Sequence, residues 1–222
     1  MLHRRAALRI AALYRSYLGM ENRWSDTDVP RGDAYDARWR TLQAEGVNVH
    51  GEADCVERLV HEFELGCSVI DAGCGTGRVA IELAARGFRV LGVDADLAML
   101  ERARVKAPHL EWTLADLAHW EPPGEQGALP MQFDVAVLAG NVMIFVAAGT
   151  EQAVLESTTR ALHARGIVVA GFQVRPDRLS LLDYDVSASR AGLELLTRFA
   201  TWQGDPYVGG DYAVSVHRRL TA

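Results

Sequence analysis

The sequence predicts an α/β fold in which helices alternate with parallel strands. Between Ser68 and Asp96, two apolar runs flank a glycine-dense turn and a stretch whose apolar residues recur with the helical period. Further apolar runs at 110–114, 133–138 and 167–172 are predicted strands, with helices at 97–105 and at 150–165, the latter capped by Gly166. Such alternation is typical of right-handed βαβ crossovers within one open sheet.

The glycine-dense turn is the candidate ligand site. Gly73, Gly75 and Gly77 allow the backbone to bend sharply and keep side chains away from a ligand. Asp71 and Asp94 close the first two strands, and open parallel sheets bind ligands at these carboxyl ends. Asp94 lies where such folds place an acid that accepts hydrogen bonds from ribose hydroxyls. The pattern therefore predicts a nucleoside pocket.

The glycines alone leave the ligand open. Gly75, Gly77 and Ala80 can be drawn as a dinucleotide fingerprint, which allows a nicotinamide or flavin cofactor. Asp71 argues against it, because an anion two residues before the first glycine is a poor neighbour for a pyrophosphate. The same anion suits a ligand that carries an ammonium and a sulfonium group. A turn without any ligand is disfavoured, since three glycines lose much conformational entropy on folding.

The segment V-I-D-A-G-C-G-T-G-R, residues 69–78, closely resembles the first motif of class I S-adenosylmethionine-dependent methyltransferases. The resemblance implies that the glycine turn passes under the methionine part and the adenosine, and that Asp94 binds the ribose. It also implies that Asp116, after the third strand, accepts from the adenine amino group, although a helix cap or loop acid is the alternative. The expected cofactor-binding residues are Asp71, Gly73, Cys74, Gly75, Gly77, Asp94, Ala95, Met99, Asp116, Leu117, Gly140 and Asn141.

The same resemblance specifies the fold class. It implies an α/β, Rossmann-like three-layer αβα sandwich with a seven-stranded, mostly parallel sheet. An antiparallel C-terminal hairpin, predicted from the alternating runs 193–202 and 212–220, closes the sheet. We expect residues 1–52 to form an N-terminal helical cap or lid, and residues 53–222 to form one methyltransferase domain.

The N-terminal segment is the candidate acceptor-binding region. Residues 1–20 are predicted as an amphipathic helix rather than a signal peptide, because Arg9 and Arg15 interrupt the apolar run. Residues 20–52 are rich in Trp, Tyr, Asp and Arg, and Tyr35 and Trp39 have the spacing of one helical face. We expect Tyr35, Trp39 and Glu52 to bind the substrate.

His50 is the candidate general base for an acceptor that has to lose a proton. The alternative is a packed cap without catalytic groups. In it, Trp24 and Trp39 are anchors, Glu52 serves the N-terminus of the helix predicted at 53–63, and His50 is structural.

The expected reaction is direct displacement of the methyl group of S-adenosylmethionine by an O, N or C atom of a small-molecule acceptor, with S-adenosyl-L-homocysteine as product. The resemblance to the family implies that Asn141, beyond the fourth strand, positions the ligand; the alternative is a polar turn residue. No N-P-P-Y or D-P-P-Y sequence is present, which disfavours exocyclic base nitrogens and glutamine amides as acceptors. A protein acceptor and an NAD-type binding protein are the alternatives.

Composition limits the partners. The 222-residue chain has a net charge of -6 and a pI near 5.6, which disfavours nucleic acid as a partner. Three cysteines without zinc-ligand spacing favour a reducing cytoplasm and no metal. No apolar stretch is long enough to span a membrane, and the predicted oligomeric state is monomer or homodimer.

Overall fold

The computed structural model describes residues 22–25, 27–122, 131–175 and 177–221. The amphipathic helix predicted over residues 1–20 lies outside these ranges. Within them, no helix is long and apolar enough to cross a membrane.

The described strands form one seven-stranded sheet, which confirms the predicted fold class. Its order is β3-β2-β1-β4-β5-β7-β6, and β7 runs antiparallel to both of its neighbours while the other pairs are parallel. The strands are β1 (Ser68–Ala72), β2 (Arg89–Asp94), β3 (Glu111–Leu114), β4 (Phe133–Leu138), β5 (Leu162–Gln173), β6 (Leu193–Phe199) and β7 (Tyr212–Arg219).

Helices cover both faces of this sheet. They are α1 (Asp33–Ala44), α2 (Gly51–Glu62), α3 (Arg78–Ala85), α4 (Leu97–Lys106), α5 (Val142–Phe145), α6 (Glu151–Arg160) and α7 (Leu181–Arg190). Successive strand residues point to opposite faces, so Val69 packs with α2 and α3 while Ile70 packs with α5, α6 and α7. This arrangement buries every residue of β1, as expected for a central parallel strand.

The structure corrects the helix predicted over 150–165. It ends at Arg160, and β5 already begins at Leu162, which pairs with Phe133. The Thr158 and Thr159 hydroxyls donate to the Val154 and Leu155 carbonyls in the last turn, a bond pattern that competes with helix continuation. Gly166 therefore lies within β5 instead of capping a helix. The short helix α5 is a second difference, because the sequence analysis predicts no helix after β4.

Candidate active site

A cavity opens at the carboxyl ends of β1, β2 and β4. It encloses about 900 Å³ of empty space when its open mouth is counted. Most of the residues predicted to bind the cofactor line it. They are Asp71, Gly73, Cys74, Gly75, Asp94, Ala95, Met99, Asp116, Leu117 and Gly140, and the predicted substrate residue Tyr35 joins them.

The glycine turn is constrained by its packing. Gly73, Gly75 and Gly77 all have positive φ, at 80°, 56° and 82°. A Cβ at Gly73 would collide with the Val142 side chain, and one at Gly77 would lie 2.5 Å from the Trp112 ring. Gly77 does not line the cavity. The Trp112 ring behind the turn thus accounts for a glycine at position 77, and the contact between Gly77 and the ligand stays a prediction.

Asp94 ties the ends of β1 and β2 together. Its Oδ2 accepts from the Gly75 N–H at 2.7 Å, and its Oδ1 accepts from the Asp96 N–H at 2.7 Å. Burial raises the pKa of this carboxyl to about 6, against the opposing effect of the two N–H groups. The carboxylate is therefore fixed in direction while it still faces the cavity.

Asp71 lies deeper in the same wall and is only 1% exposed. Its Oδ2 accepts from the Ala80 N–H at 3.0 Å, in the first turn of α3. Burial raises the pKa of Asp71 to about 7, although the Ala80 hydrogen bond and Arg78 act in the opposite direction. The floor of the cavity thus holds a carboxyl group that a cationic ligand would keep ionised.

A strap from the N-terminal segment crosses the mouth. The Trp24 indole N–H donates to Asp96 Oδ2 at 3.0 Å, and the Arg31 Nε donates to the same oxygen at 3.0 Å. Trp24 also donates its backbone N–H to the Phe145 carbonyl, and its ring meets the Phe145 ring edge-on at 5.4 Å. The strap therefore joins the loop after β2 to α5, which follows β4.

Helix α1 extends the strap over the glycine turn. The Thr76 hydroxyl donates to Asp36 Oδ1 at 2.6 Å, and Asp36 also pairs with Lys106 at 3.0 Å. Asp33 forms an ion pair with Arg102. Since no residue of α1 is fully buried, polar side-chain contacts hold this helix in place.

Asp116 and Asn141 serve the local backbone. Asp116 Oδ1 accepts from the Ala118 N–H at 2.9 Å, so this acid caps a turn as well as lining the cavity. Asn141 precedes α5 with a φ of 71°, and its Oδ1 accepts from the Gln173 N–H at 2.8 Å. This hydrogen bond holds the loop after β4 against β5. Asn141 is not among the lining residues, although Gly140 and Val142 on either side of it are, so its contact with the ligand stays a prediction.

His50, Trp39 and Glu52 are not among the residues that line the cavity, and their roles in catalysis and substrate binding stay predictions. His50 precedes α2, and its Nδ1 lies 3.3 Å from Glu82 Oε2. Glu52 is buried in the first turn of α2 and pairs with Arg78. The Trp39 ring stacks under Arg78, with the guanidinium carbon 3.9 Å from the ring centroid.

Several lining residues were missed by the sequence analysis. The strap contributes Asn22 and Trp24, and the segment 142–146 contributes Val142, Phe145 and Val146. Thr76 comes from the glycine turn, and Arg78 is the first residue of α3. Arg78 had a detectable signal, because it ends the glycine motif itself. The strap had none, since its place depends on contacts with Asp96 and Phe145, which are far from it in sequence.

The comparisons with known proteins agree with this geometry. A family model described as a methyltransferase domain matches residues 69–166. The crystal structure of a TehB-like SAM-dependent methyltransferase from Corynebacterium glutamicum is 33% identical, with a TM-score of 0.74 over 85% of this chain and 97% of that one. The chain therefore belongs to the S-adenosylmethionine-dependent methyltransferases, as the motif predicted.

Curated relatives match over shorter segments. A trans-aconitate 2-methyltransferase from Paracidovorax citrulli is 48% identical over 60 residues, 26% of this chain and 23% of that protein. A ubiquinone biosynthesis O-methyltransferase from Alkalilimnicola ehrlichii is 34% identical over 94 residues, 40% of this chain and 38% of that protein. The matched segments thus span well under half of these relatives.

Proposed function

We propose that this protein transfers the methyl group of S-adenosylmethionine to an oxygen, nitrogen or carbon atom of a small-molecule acceptor. The observation that carries the proposal is Asp94, whose carboxylate faces the cavity of a methyltransferase-family fold while backbone N–H groups fix its direction. Two curated relatives are named for small molecules, trans-aconitate and ubiquinone, which supports this acceptor class.

The residues around the cavity fit the donor. Asp94 would accept hydrogen bonds from the ribose hydroxyls, since each of its oxygens retains a free lone pair. Ala95, Met99 and Leu117 offer apolar surface for the adenine, and Asp116 would accept from its amino group. Asp71 would pair with the ammonium of the methionine part. The cap proposed for residues 1–52 covers the mouth through Trp24 and Arg31.

Methyl transfer does not depend strongly on an ionisable catalytic side chain. The sulfonium of the bound donor supplies an electrophilic methyl carbon, so the protein has to position an acceptor lone pair and exclude water. Val142, Phe145, Val146 and Trp24 form an apolar and aromatic wall that suits both tasks. His50 stays a prediction as the base: its Nδ1 lies 3.3 Å from Glu82 Oε2, and it is not among the residues that line the cavity.

The proposal is tested by isothermal calorimetry with S-adenosylmethionine and S-adenosylhomocysteine, and separately with NAD. Micromolar binding of the first two without binding of NAD is the expected result. A screen of small acceptors, read as release of S-adenosylhomocysteine, then identifies the substrate. Binding of NAD alone would contradict the proposal. The absence of a metal and of a nucleic-acid partner, the monomer or homodimer state and the cytoplasmic location stay predictions.

A further inference from the structure

A second groove lies at the end of the sheet opposite the cavity. Arg160 ends α6, Arg190 ends α7 and Arg219 ends β7, and all three line this groove, which has about 630 Å³ of empty space when its open side is counted. Arg219 donates through Nη1 to the carbonyl of Leu162, where β5 begins, whereas the cavity lies at the carboxyl ends of the parallel strands. Three separate elements thus bring their last residues, all arginines, to one concave surface away from the cavity.

The protein itself makes little use of these guanidinium groups. Arg219 donates to one backbone carbonyl, while no described residue accepts a hydrogen bond from the side chain of Arg160 or Arg190. Among the described residues, the lining contains one carboxylate, Glu156, and its Oε1 accepts from Gln152 Nε2 at 2.8 Å. The lining therefore carries an excess of two positive charges, and most of its N–H donors are free.

Several arginines elsewhere in the chain pair with carboxylates. Arg86, for example, forms ion pairs with Asp54, Glu57 and Glu82. The chain has 29 acidic residues against 23 lysines and arginines, so carboxylate partners are not scarce. Like charges that face one groove repel each other unless an opposite charge lies between them. A cluster that finds no such charge among the described residues is therefore better explained by a ligand.

Helix ends alone do not explain the cluster. A cation in the last turn of a helix is favourable because the helix has a partial negative charge there, and Arg160 and Arg190 both meet this condition. The carbonyls of both last turns, however, already accept from the backbone N–H groups of Ala161 and Ala191. Arg219 lies on a strand, so the effect does not account for the convergence of all three side chains.

We propose that this groove binds a small oxyanion that carries two or more negative charges, such as a phosphate or polycarboxylate group. The planar fork of an arginine matches the oxygens of both groups, and the excess positive charge of the lining matches a dianion. A nucleic-acid backbone fits less well, because it needs an extended stripe of positive charge and the chain has a net charge of -6. The inference goes beyond the proposed function and does not depend on it.

The test is calorimetry with inorganic pyrophosphate and with citrate, in Tris buffer with sodium chloride. We expect one oxyanion to bind per chain, and the tighter of the two identifies the kind of oxyanion. The double variant R160Q/R190Q should lose about 10- to 100-fold in affinity, since charge-assisted hydrogen bonds from two forks are lost. The titrations are repeated with S-adenosylhomocysteine, which should leave the affinity for the oxyanion unchanged because the groove and the cavity are separate.

Two further variants separate a specific site from the effect of overall charge. R38Q/R40Q removes two exposed arginines of α1 and changes the net charge equally, so it is the matched control and should bind as the wild type does. R160K/R190K keeps the charges without the planar forks and should lose about 3- to 10-fold. Pyrophosphate should raise the melting temperature of the wild type and of R38Q/R40Q, but not that of R160Q/R190Q.

The melting temperature without any oxyanion tests the alternative role at the helix ends. R160Q/R190Q should then melt at the wild-type temperature or above it, because repulsion between the arginines is relieved. A lower melting temperature, in a protein whose wild type binds neither oxyanion, would overturn the proposal and assign the arginines to the helix ends.

Three other results would overturn the proposal. Equal affinity in the wild type and in R160Q/R190Q would place the oxyanion elsewhere, and an equal loss in R38Q/R40Q would show that only overall charge matters. A single-stranded oligonucleotide that binds more tightly than both small anions, with a steep dependence on salt, would contradict a small ligand. Donor binding should be unchanged in R160Q/R190Q, and its absence in the wild type would refute only the proposed function.

Discussion

The two sides of the cavity are built differently. On the sheet side, Asp71 and Asp94 are held by backbone N–H groups of Ala80, Gly75 and Asp96, all within 19 residues of sequence. On the cap side, α1 buries no residue and is held by side-chain pairs that span 40 to 70 residues, such as those from Asp36 to Thr76 and to Lys106. The sheet side is therefore rigid and local, whereas the cap depends on charged contacts at the surface.

The sheet side should be most sensitive to loss of the Asp94 charge. Asp94→Asn keeps the size of the side chain but weakens hydrogen bonds to the ribose, so we expect affinity for S-adenosylhomocysteine to fall about 10- to 100-fold. Calorimetry measures the loss, and circular dichroism checks the fold. Unchanged affinity in a folded variant would remove Asp94 from the donor site.

Donor binding should also depend on pH, because Asp71 and Asp94 titrate on the sheet side of the cavity. The pKa values of Asp71 and Asp94 are raised to about 7 and about 6 by burial, so both groups take up protons as the pH falls from 8 to 5. Affinity for S-adenosylhomocysteine should then drop by up to about tenfold per pH unit below 7. Dissociation constants at pH 5.5, 6.5 and 7.5 test this, and Asp71→Asn should flatten the upper part of the curve.

The free protein should show the opposite trend in stability. Because the folded-state pKa of each carboxyl lies above its ordinary value of 3.8, the folded state binds protons more tightly than the unfolded chain. The contribution of these two groups to the free energy of unfolding is therefore fully present below about pH 4 and is lost as the pH rises to about 7. If neither the affinity for S-adenosylhomocysteine nor the stability of the free protein changes with pH, these carboxyls are not desolvated.

The contacts that hold the cap should be weakened by salt, whereas those of the sheet side should not. Asp36→Asn removes the acceptor of Thr76 and the partner of Lys106, so we expect kcat/KM to fall about 3- to 10-fold, as surface pairs are individually weak. Added salt should lower wild-type turnover in the same direction, because it screens these pairs. The dissociation constant of S-adenosylhomocysteine should change less than twofold.

Asp177→Asn is the matched control for this variant. Asp177 also forms exposed ion pairs, with Arg175 and Arg178, but it does not line the cavity. It should leave turnover unchanged. Equal loss of donor binding and turnover in Asp36→Asn would instead make α1 part of the donor pocket.

The same contrast explains what could be predicted from the sequence. The strand–turn–helix around Asp71 and Asp94 is encoded in consecutive residues, so its strands and its glycine turn were predicted correctly. Most of the residues that we predicted to bind the cofactor there line the cavity. The contacts of Glu52 and Trp39 with Arg78 join separate segments, and no local pattern indicates them. The early end of α6 was missed because apolar spacing continues past Arg160, while hydrogen bonds from Thr158 and Thr159 and strand pairing at Leu162 stop the helix.

Trp24 gives the molecule an intrinsic optical reporter. Its indole lines the cavity, donates to Asp96 and packs edge-on against Phe145, so a ligand that enters beside it changes the polarity around the ring. Of the five tryptophans in the chain, Trp24 alone lines the cavity in the part that the structure describes. We therefore expect tryptophan emission to change when a ligand fills the cavity, which allows ligands to be compared without a label.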